Sequence, residues 1–303
     1  TATDVTISNG TAGTFTETSP NRVWTLEVIP NGLGNIQCSI MAGVCTDLAG
    51  NSNLVSNNVN VIYDNLDPDL NTVSIASNNT HPDYVGVGGK VTITIIANES
   101  IVVDSVKICG LDADNFTGSG ASWSADHTML GTESEGIVDF FIYYQDLAGN
   151  IGDVGFSTTN GSSVFFDKSK PELDVVSISS SNAVPNKAMV GDEITVAFTA
   201  DGYIENVTAT IKGKTATVTN TNPATYEWEA TYTMSSGDSD VPSNVNFVIN
   251  FKDYAGNIGD PVATTTAPVT SVTFDKTKPT LSGVSNTSSN SVLYSMVTNG
   301  HTV

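Results

Sequence analysis

One short motif is written three times in this chain: Asp47-Leu48-Ala49-Gly50-Asn51, Asp146-Leu147-Ala148-Gly149-Asn150 and Asp253-Tyr254-Ala255-Gly256-Asn257. The copies lie about a hundred residues apart, the size of one small domain, so the chain reads as homologous domains in tandem. Other landmarks keep the same register. Each motif is followed by an aromatic-Asp pair and a proline: Tyr63-Asp64 with Pro68, Phe166-Asp167 with Pro171, and Phe274-Asp275 with Pro279. A valine follows each proline (Val73, Val176, Val284), and further on a glycine (Gly88, Gly191, Gly300). The three tryptophans, Trp24, Trp123 and Trp228, each precede a motif by a similar distance. Residues this large and rare, recurring in register, are expected to anchor the core of each domain.

The domains are expected to be built from strands. Ile194 to Ala200 and Val245 to Phe251 alternate apolar with small or polar residues, and Val91 to Ile95 and Val138 to Tyr144 do likewise. Period two with one apolar face marks a half-buried antiparallel strand. The chain is rich in Val and Thr, which favour strands, and in Gly, Asn and Ser, which favour turns. No long stretch has a helical apolar period. Short strands parted by turn-rich stretches point to an all-β chain of sandwiches.

The repeated motif directly follows an alternating strand. An Asp carboxylate can accept turn N–H bonds and a Gly can take positive φ, so Asp47, Gly50 and Asn51, with Asp146, Gly149 and Asn150, and Asp253, Gly256 and Asn257, read as the hairpin turn between the last two strands of each domain. The proline after each last strand removes a backbone donor and stiffens the crossing into the next domain.

These features resemble bacterial Ig-like repeats of very large secreted surface adhesins. The residues that carry the likeness are the D-x-A-G-N turn, the closing F-D-K-[ST]-K-P at Phe166 to Pro171 and Phe274 to Pro279, and the V-S-I openings at Val73 to Ile75 and Val176 to Ile178. The first unit departs from it, reading Asp64-Asn65-Leu66-Asp67-Pro68. The resemblance implies tandem immunoglobulin-like β-sandwich domains, an extracellular or cell-surface location, and a spacer role.

Aligned on these landmarks, residues 1–67 form a partial domain lacking its first strands. Residues 68–170 and 171–278 form two whole domains, and 279–303 carries the first strand or strands of another. Val5-Thr6-Ile7 corresponds to Val106-Lys107-Ile108, which is mid-domain. Two arrangements fit these ends. Either the residues are a window of a longer array, or the C-terminal strands of one copy complete the partial domain of the next by strand donation. The expected partners are accordingly neighbouring domains of the same array or copies of the chain itself.

Charge narrows the ligands. Eleven Lys and Arg face 32 Asp and Glu, a formal net charge of −21. Phosphate binding needs clustered cations, so nucleic acid is excluded, and anionic membrane surfaces are disfavoured. No apolar run is long enough to insert in a membrane. An acidic chain suits solubility in a salty medium, or cation binding. Asp64, Asp67 and Asp69 place three carboxylates in one junction, where Ca²⁺ would offset their repulsion and stiffen the joint; the alternative is a solvated acidic linker. Lys168, Lys170, Lys276 and Lys278 oppose a cation at the later junctions. Asp112, Asp114, Asp153 and Asp260 are weaker candidates.

Catalytic chemistry finds no foothold. His81, His127 and His301 are scattered, and no nucleophile-and-base set can be assembled, so the chain is not expected to be an enzyme. Gly86-Val87-Gly88-Gly89-Lys90 lacks the Lys-Ser/Thr pair of a phosphate loop and precedes a strand, so it reads as a turn. Cys38, Cys45 and Cys109 do not recur in register and form no zinc spacing; Cys38 and Cys45 can pair only if the chain turns between them. Sequons stand at Asn9, Asn78, Asn98, Asn115, Asn160, Asn206 and Asn286, about as many as this composition yields by chance. A filament or sheath subunit is the main alternative function. A glycan-binding module would need clustered exposed aromatics, and Tyr63, Tyr84 and Tyr203 are scattered. Thr215 to Thr221 has the composition of an ice-binding face but is also ordinary strand sequence.

Overall fold

The computed structural model describes residues 1–20, 22–240, 244–266, 268 and 270–285. Gly300, His301, the Asn286 sequon and most of the 279–303 segment lie outside the described residues. The chain divides into two compact units. The first comprises Thr1–Ser169 with Tyr254–Asn257, and the second comprises Lys170–Asp253 with the chain from Ile258 onward.

The fold is all-β. At the start of the first unit, β1 (Val5–Ser8), β2 (Gly10–Ser19), β3 (Val23–Pro30), β4 (Gly34–Ile40) and β5 (Val59–Tyr63) form two small sheets, ordered β1-β4-β5 and β2-β3. There follow β6 (Leu70–Ser77), β7 (Tyr84–Val85), β8 (Lys90–Ala97), β9 (Ile101–Ile108), β10 (Leu111–Asp112), β11 (Asn115–Ser119), β12 (Ser122–Thr128), β13 (Gly136–Ile137), β14 (Phe140–Asp146) and β15 (Phe165–Phe166). One sheet runs β11-β12-β8-β6 and the facing one β10-β9-β14. A four-stranded sheet of first, second, fifth and fourth strands against a sheet of third and sixth is the immunoglobulin-like sandwich.

The second unit repeats it with β16 (Leu173–Ser180), β17 (Lys187–Ala188), β18 (Glu193–Ala200), β19 (Ile204–Ile211), β20 (Lys214–Thr215), β21 (Thr217–Asn222), β22 (Glu227–Thr233), β23 (Phe247–Asp253) and β24 (Thr273–Phe274). Its sheets run β16-β18-β22-β21 and β20-β19-β23. The chain is therefore a tandem of immunoglobulin-like sandwiches.

Alternation in sequence becomes alternation in burial. In β8, Val91, Ile93 and Ile95 point into the core beside Val73 and Ile75 of β6, facing Val106, Ile108, Phe140 and Ile142 of the other sheet. The equivalent core of the second unit is built on Ile194, Val196, Phe198, Ile211, Phe247, Ile249 and Phe251. The abundant hydroxyls have a specific use. The N–H groups of Val73 and Ile75 donate to Thr159 Oγ1 and Ser162 Oγ, and those of Val176 and Ile178 donate to Thr266 Oγ1 and Thr270 Oγ1. Each opening strand thus has donors on its outer edge satisfied by side chains, which blunts an edge otherwise open to pairing.

Strands β1 to β5 correspond to the third strand onward of a full sandwich. Asn9, Cys109 and Lys212 mark the correspondence, since each takes a positive φ (55, 51 and 52°) at the turn after β1, β9 and β19. In a full sandwich β12 and β22 are flanked on both sides, whereas β3 pairs only with β2 among the described residues. The tryptophans follow this difference. Trp123 and Trp228 lie partly buried against their cores. Trp24 is 47% exposed and anchors no core, because no described strand covers the face it occupies.

Candidate metal centre

The motif turn is built as a carboxylate cage. Asp146 Oδ1 accepts the N–H groups of Ala148, Gly149 and Asn150 at 2.8, 2.7 and 2.9 Å, and its Oδ2 accepts Asn150 Nδ2 at 2.7 Å. Asp47 accepts the N–H groups of Ala49 and Asn51 and the Asn51 side chain in the same way. Gly50, Gly149 and Gly256 sit at φ +87, +94 and +101°, where a side chain would be strained. Bridges Thr46↔Ser52, Gln145↔Ile151 and Lys252↔Ile258 close each turn as a hairpin.

The second motif turn also reaches the linker before its own domain. Asn150 Nδ2 donates to the Asp64 carbonyl at 3.3 Å, and Tyr144 Oη donates to the Pro68 carbonyl at 3.2 Å. On the other side of the linker, the Asp69 N–H donates to Asn98 Oδ1 and the Asn98 N–H donates back to the Asp69 carbonyl. These ties bring together three acids far apart in sequence. Ligand oxygens of Asp64, Glu99 and Asp146 all lie within 4.8 Å of one another.

The electrostatics are those of crowded anions. Burial, then the Asp64 and Asp146 charges, push the Glu99 carboxyl above its ordinary value. Burial pulls Asp146 the same way, but its Asn150 and backbone donors outweigh this and hold it low. An all-oxygen set of this kind suits hard cations such as Ca²⁺ or Mg²⁺. The backbone around it adds carbonyls, although that of Asp64 already accepts Asn150.

Of the three junction acids read from sequence, only Asp64 belongs to this group. Asp67 and Asp69 are exposed and stand outside it, because the extended linker spreads its side chains while tertiary ties choose which one meets the turn. Glu99 carried no signal beyond its place just before β9; the equivalent residue ahead of β19 is Gly202. Asp146 was legible as a turn residue, not as a member of this carboxylate group. The weaker candidates have other partners: Asp112 pairs with Lys107, Asp114 accepts the Thr128 N–H, and Asp260 pairs with Lys170.

Gly89 donates to the Gly86 carbonyl in the turn leading into β8, and Lys90 pairs with Asp126. His81 stacks on Tyr254 within the first unit, ring centroids 3.8 Å apart. Buried His127 meets Glu133 Oε1 at 3.1 Å. Tyr232 and Asp238 make the corresponding contact in the second unit. Cys38, Cys45 and Cys109 are free thiols, and burial with nearby Asp139 and Glu133 pushes Cys109 up to about 11. No helix among the described residues is long and apolar enough to cross a membrane.

No family model and no curated protein matches the chain. Solved structures with similar folds include the I9–I11 tandem of titin, at 9% identity over 90% of this chain and 94% of that one, with TM-score 0.35. A chain of a 1.5-MDa bacterial ice-binding adhesin matches at 18% identity over 84% and 80%, with TM-score 0.39. A putative membrane-anchored protein of Corynebacterium diphtheriae matches at 13% identity over 83% and 60%, with TM-score 0.24. These likenesses concern the fold alone.

Proposed function

We propose that this chain is a non-enzymatic spacer segment of an extracellular, cell-surface repeat protein, and that Ca²⁺ held by Asp64, Glu99 and Asp146 pins the joint ahead of its first full sandwich. The observation that carries the metal is the three-carboxylate group formed where Asp64, on a linker already clamped by Asn150 and Asn98, meets Glu99 and Asp146. A divalent cation there offsets the repulsion from Asp64 and Asp146 that adds to burial in raising Glu99, and locks the linker to the motif turn. The spacer role is supported by repeated sandwiches joined through short proline-containing linkers, and the net charge of −21 suits solubility in a salty exterior.

Thermal unfolding in CaCl₂ and in chelator tests this reading. A ligand held only by the native state adds about 2.7 kcal/mol at a hundredfold excess over Kd, worth several degrees in Tm. Equal melting of wild type in both media removes the calcium joint. A second reading, a building block of an extracellular filament or sheath, is favoured by the open apolar side of β1 to β5. The mass of the native polypeptide after denaturation separates the two: a chain far above 31.6 kDa supports the spacer, and one close to it supports the filament subunit.

A further inference from the structure

The sheets of β1 to β5 enclose an open cavity of about 1020 Å³, lined chiefly by apolar side chains including Phe15, Trp24, Leu26, Val28, Ile36 and Val61. Of these only Ile36 is buried, and Val61 is 59% exposed. The same molecule shows twice what covers such a surface. In the first full sandwich β8 pairs along β12, setting Ile95, Ile93 and Val91 opposite Trp123, Ala125 and His127, and β6 lies outside β8. In the second unit β18 sets Phe198, Val196 and Ile194 opposite Trp228, Ala230 and Tyr232, with β16 outside it. In both cases the inner strand's apolar residues are essentially inaccessible. Strand β3 offers the equivalent row, Trp24, Leu26 and Val28, beside an edge that no described strand pairs.

We propose that this face is a strand-acceptor site whose occupant is a two-stranded antiparallel β element of the repeat's own pattern. Its inner strand lies antiparallel to β3 and carries apolar residues at three alternate positions, opposite Val28, Leu26 and Trp24. An unpaired edge supplies backbone hydrogen bonds for affinity, and the apolar row selects the register, the two parts of recognition by strand addition. This deepens the reading of the chain as an array of like sandwiches and rests on it.

The test titrates the full chain with a synthetic peptide of residues 69–98, which carries the β6 and β8 pair, and follows heat of binding and tryptophan fluorescence. One-to-one saturation with a blue shift is expected, with affinity reduced at least tenfold by Leu26→Asp in the chain or by Ile93→Asp with Ile95→Asp in the peptide. Thr25→Lys, on the opposite face of β3, should bind as wild type. Circular dichroism of each variant checks that the sandwiches remain folded. No binding, or equal binding of the disrupted peptide, overturns the proposal. Concentration-dependent self-association that vanishes on removing residues 279–303 would assign the face to a second copy and overturn the occupant named here. The calcium joint is read by melting and this face by peptide binding, so either can fail alone.

Discussion

Asn150 donates its side-chain amide to the backbone carbonyl of Asp64 at 3.3 Å, across 86 residues of sequence. The same amide group holds Asp146 Oδ2 at 2.7 Å, so one side chain completes its own turn and fastens the linker. Within the first unit Asn257 Nδ2 makes the matching bond to the Asp167 carbonyl at 3.1 Å. The motif is thus both a turn and a clamp on the chain segment that precedes its domain.

Asn150→Ala removes both bonds and leaves the Asp64 carbonyl without this donor. At roughly 0.5–1.5 kcal/mol per bond, the variant should lose about 1–3 kcal/mol. Urea denaturation checks this, and the calcium-induced shift in Tm should shrink with it because the Asp64 backbone is released. An unchanged midpoint would mean the turn keeps its shape without the clamp.

Gly152 is required by close approach. A Cβ there would stand 2.3 Å from Tyr144 Cε2 and 2.8 Å from the Pro68 carbonyl oxygen. Gly259 is under the same constraint against the Phe251 ring, also at 2.3 Å. Gly152→Ala and Gly259→Ala should each cost about 1–3 kcal/mol by overpacking. Chemical denaturation measures both; a cost below about 0.5 kcal/mol would show that the ring swings away freely.

Glu99 gives a pH signature with a definite sign. Its folded-state pKa is raised above the ordinary 4.5, so the native state binds its proton more tightly than the unfolded chain. Metal-free stability from this group is therefore greatest below about 4.5 and falls as pH rises through the raised value. In chelator, Glu99→Gln should be more stable than wild type at pH 7, with the gap closing near pH 4. In calcium at pH 7 the order should reverse, because the variant gives up a ligand. Parallel denaturant midpoints of the two proteins at both pH values, with and without calcium, decide it.

Glu133 has the opposite sign. Burial works to raise its pKa, but the Leu130 N–H and His127, among other donors, bring it down to about 2. Its contribution is complete above the ordinary 4.5 and is lost as pH falls toward about 2. Glu133→Gln should lower stability at pH 7 and flatten the acid limb of the stability profile. A wild-type-like limb in the variant would assign the acid sensitivity elsewhere.

The repeat spacing, period-two strands and turn chemistry of the Asp, Gly and Asn positions were legible because each is a local property: alternation decides which face is buried, and a positive φ decides where glycine stands. Trp24 shows the limit of that reasoning. Its sequence register equals that of Trp123 and Trp228, yet it stands 47% exposed beside an edge that no described strand pairs.

What the sequence by itself determined was therefore the class: an all-β tandem of sandwiches, its turns and its acidity. What only the tertiary structure decided was which acids meet. Asp64, Glu99 and Asp146 come from a linker, a strand-connecting turn and a hairpin, and their meeting depends on the bonds of Asn150 and Asn98 to the linker backbone. Linear proximity had favoured Asp67 and Asp69. An extended backbone turns neighbouring side chains apart, so charge density along a chain does not specify charge density in space.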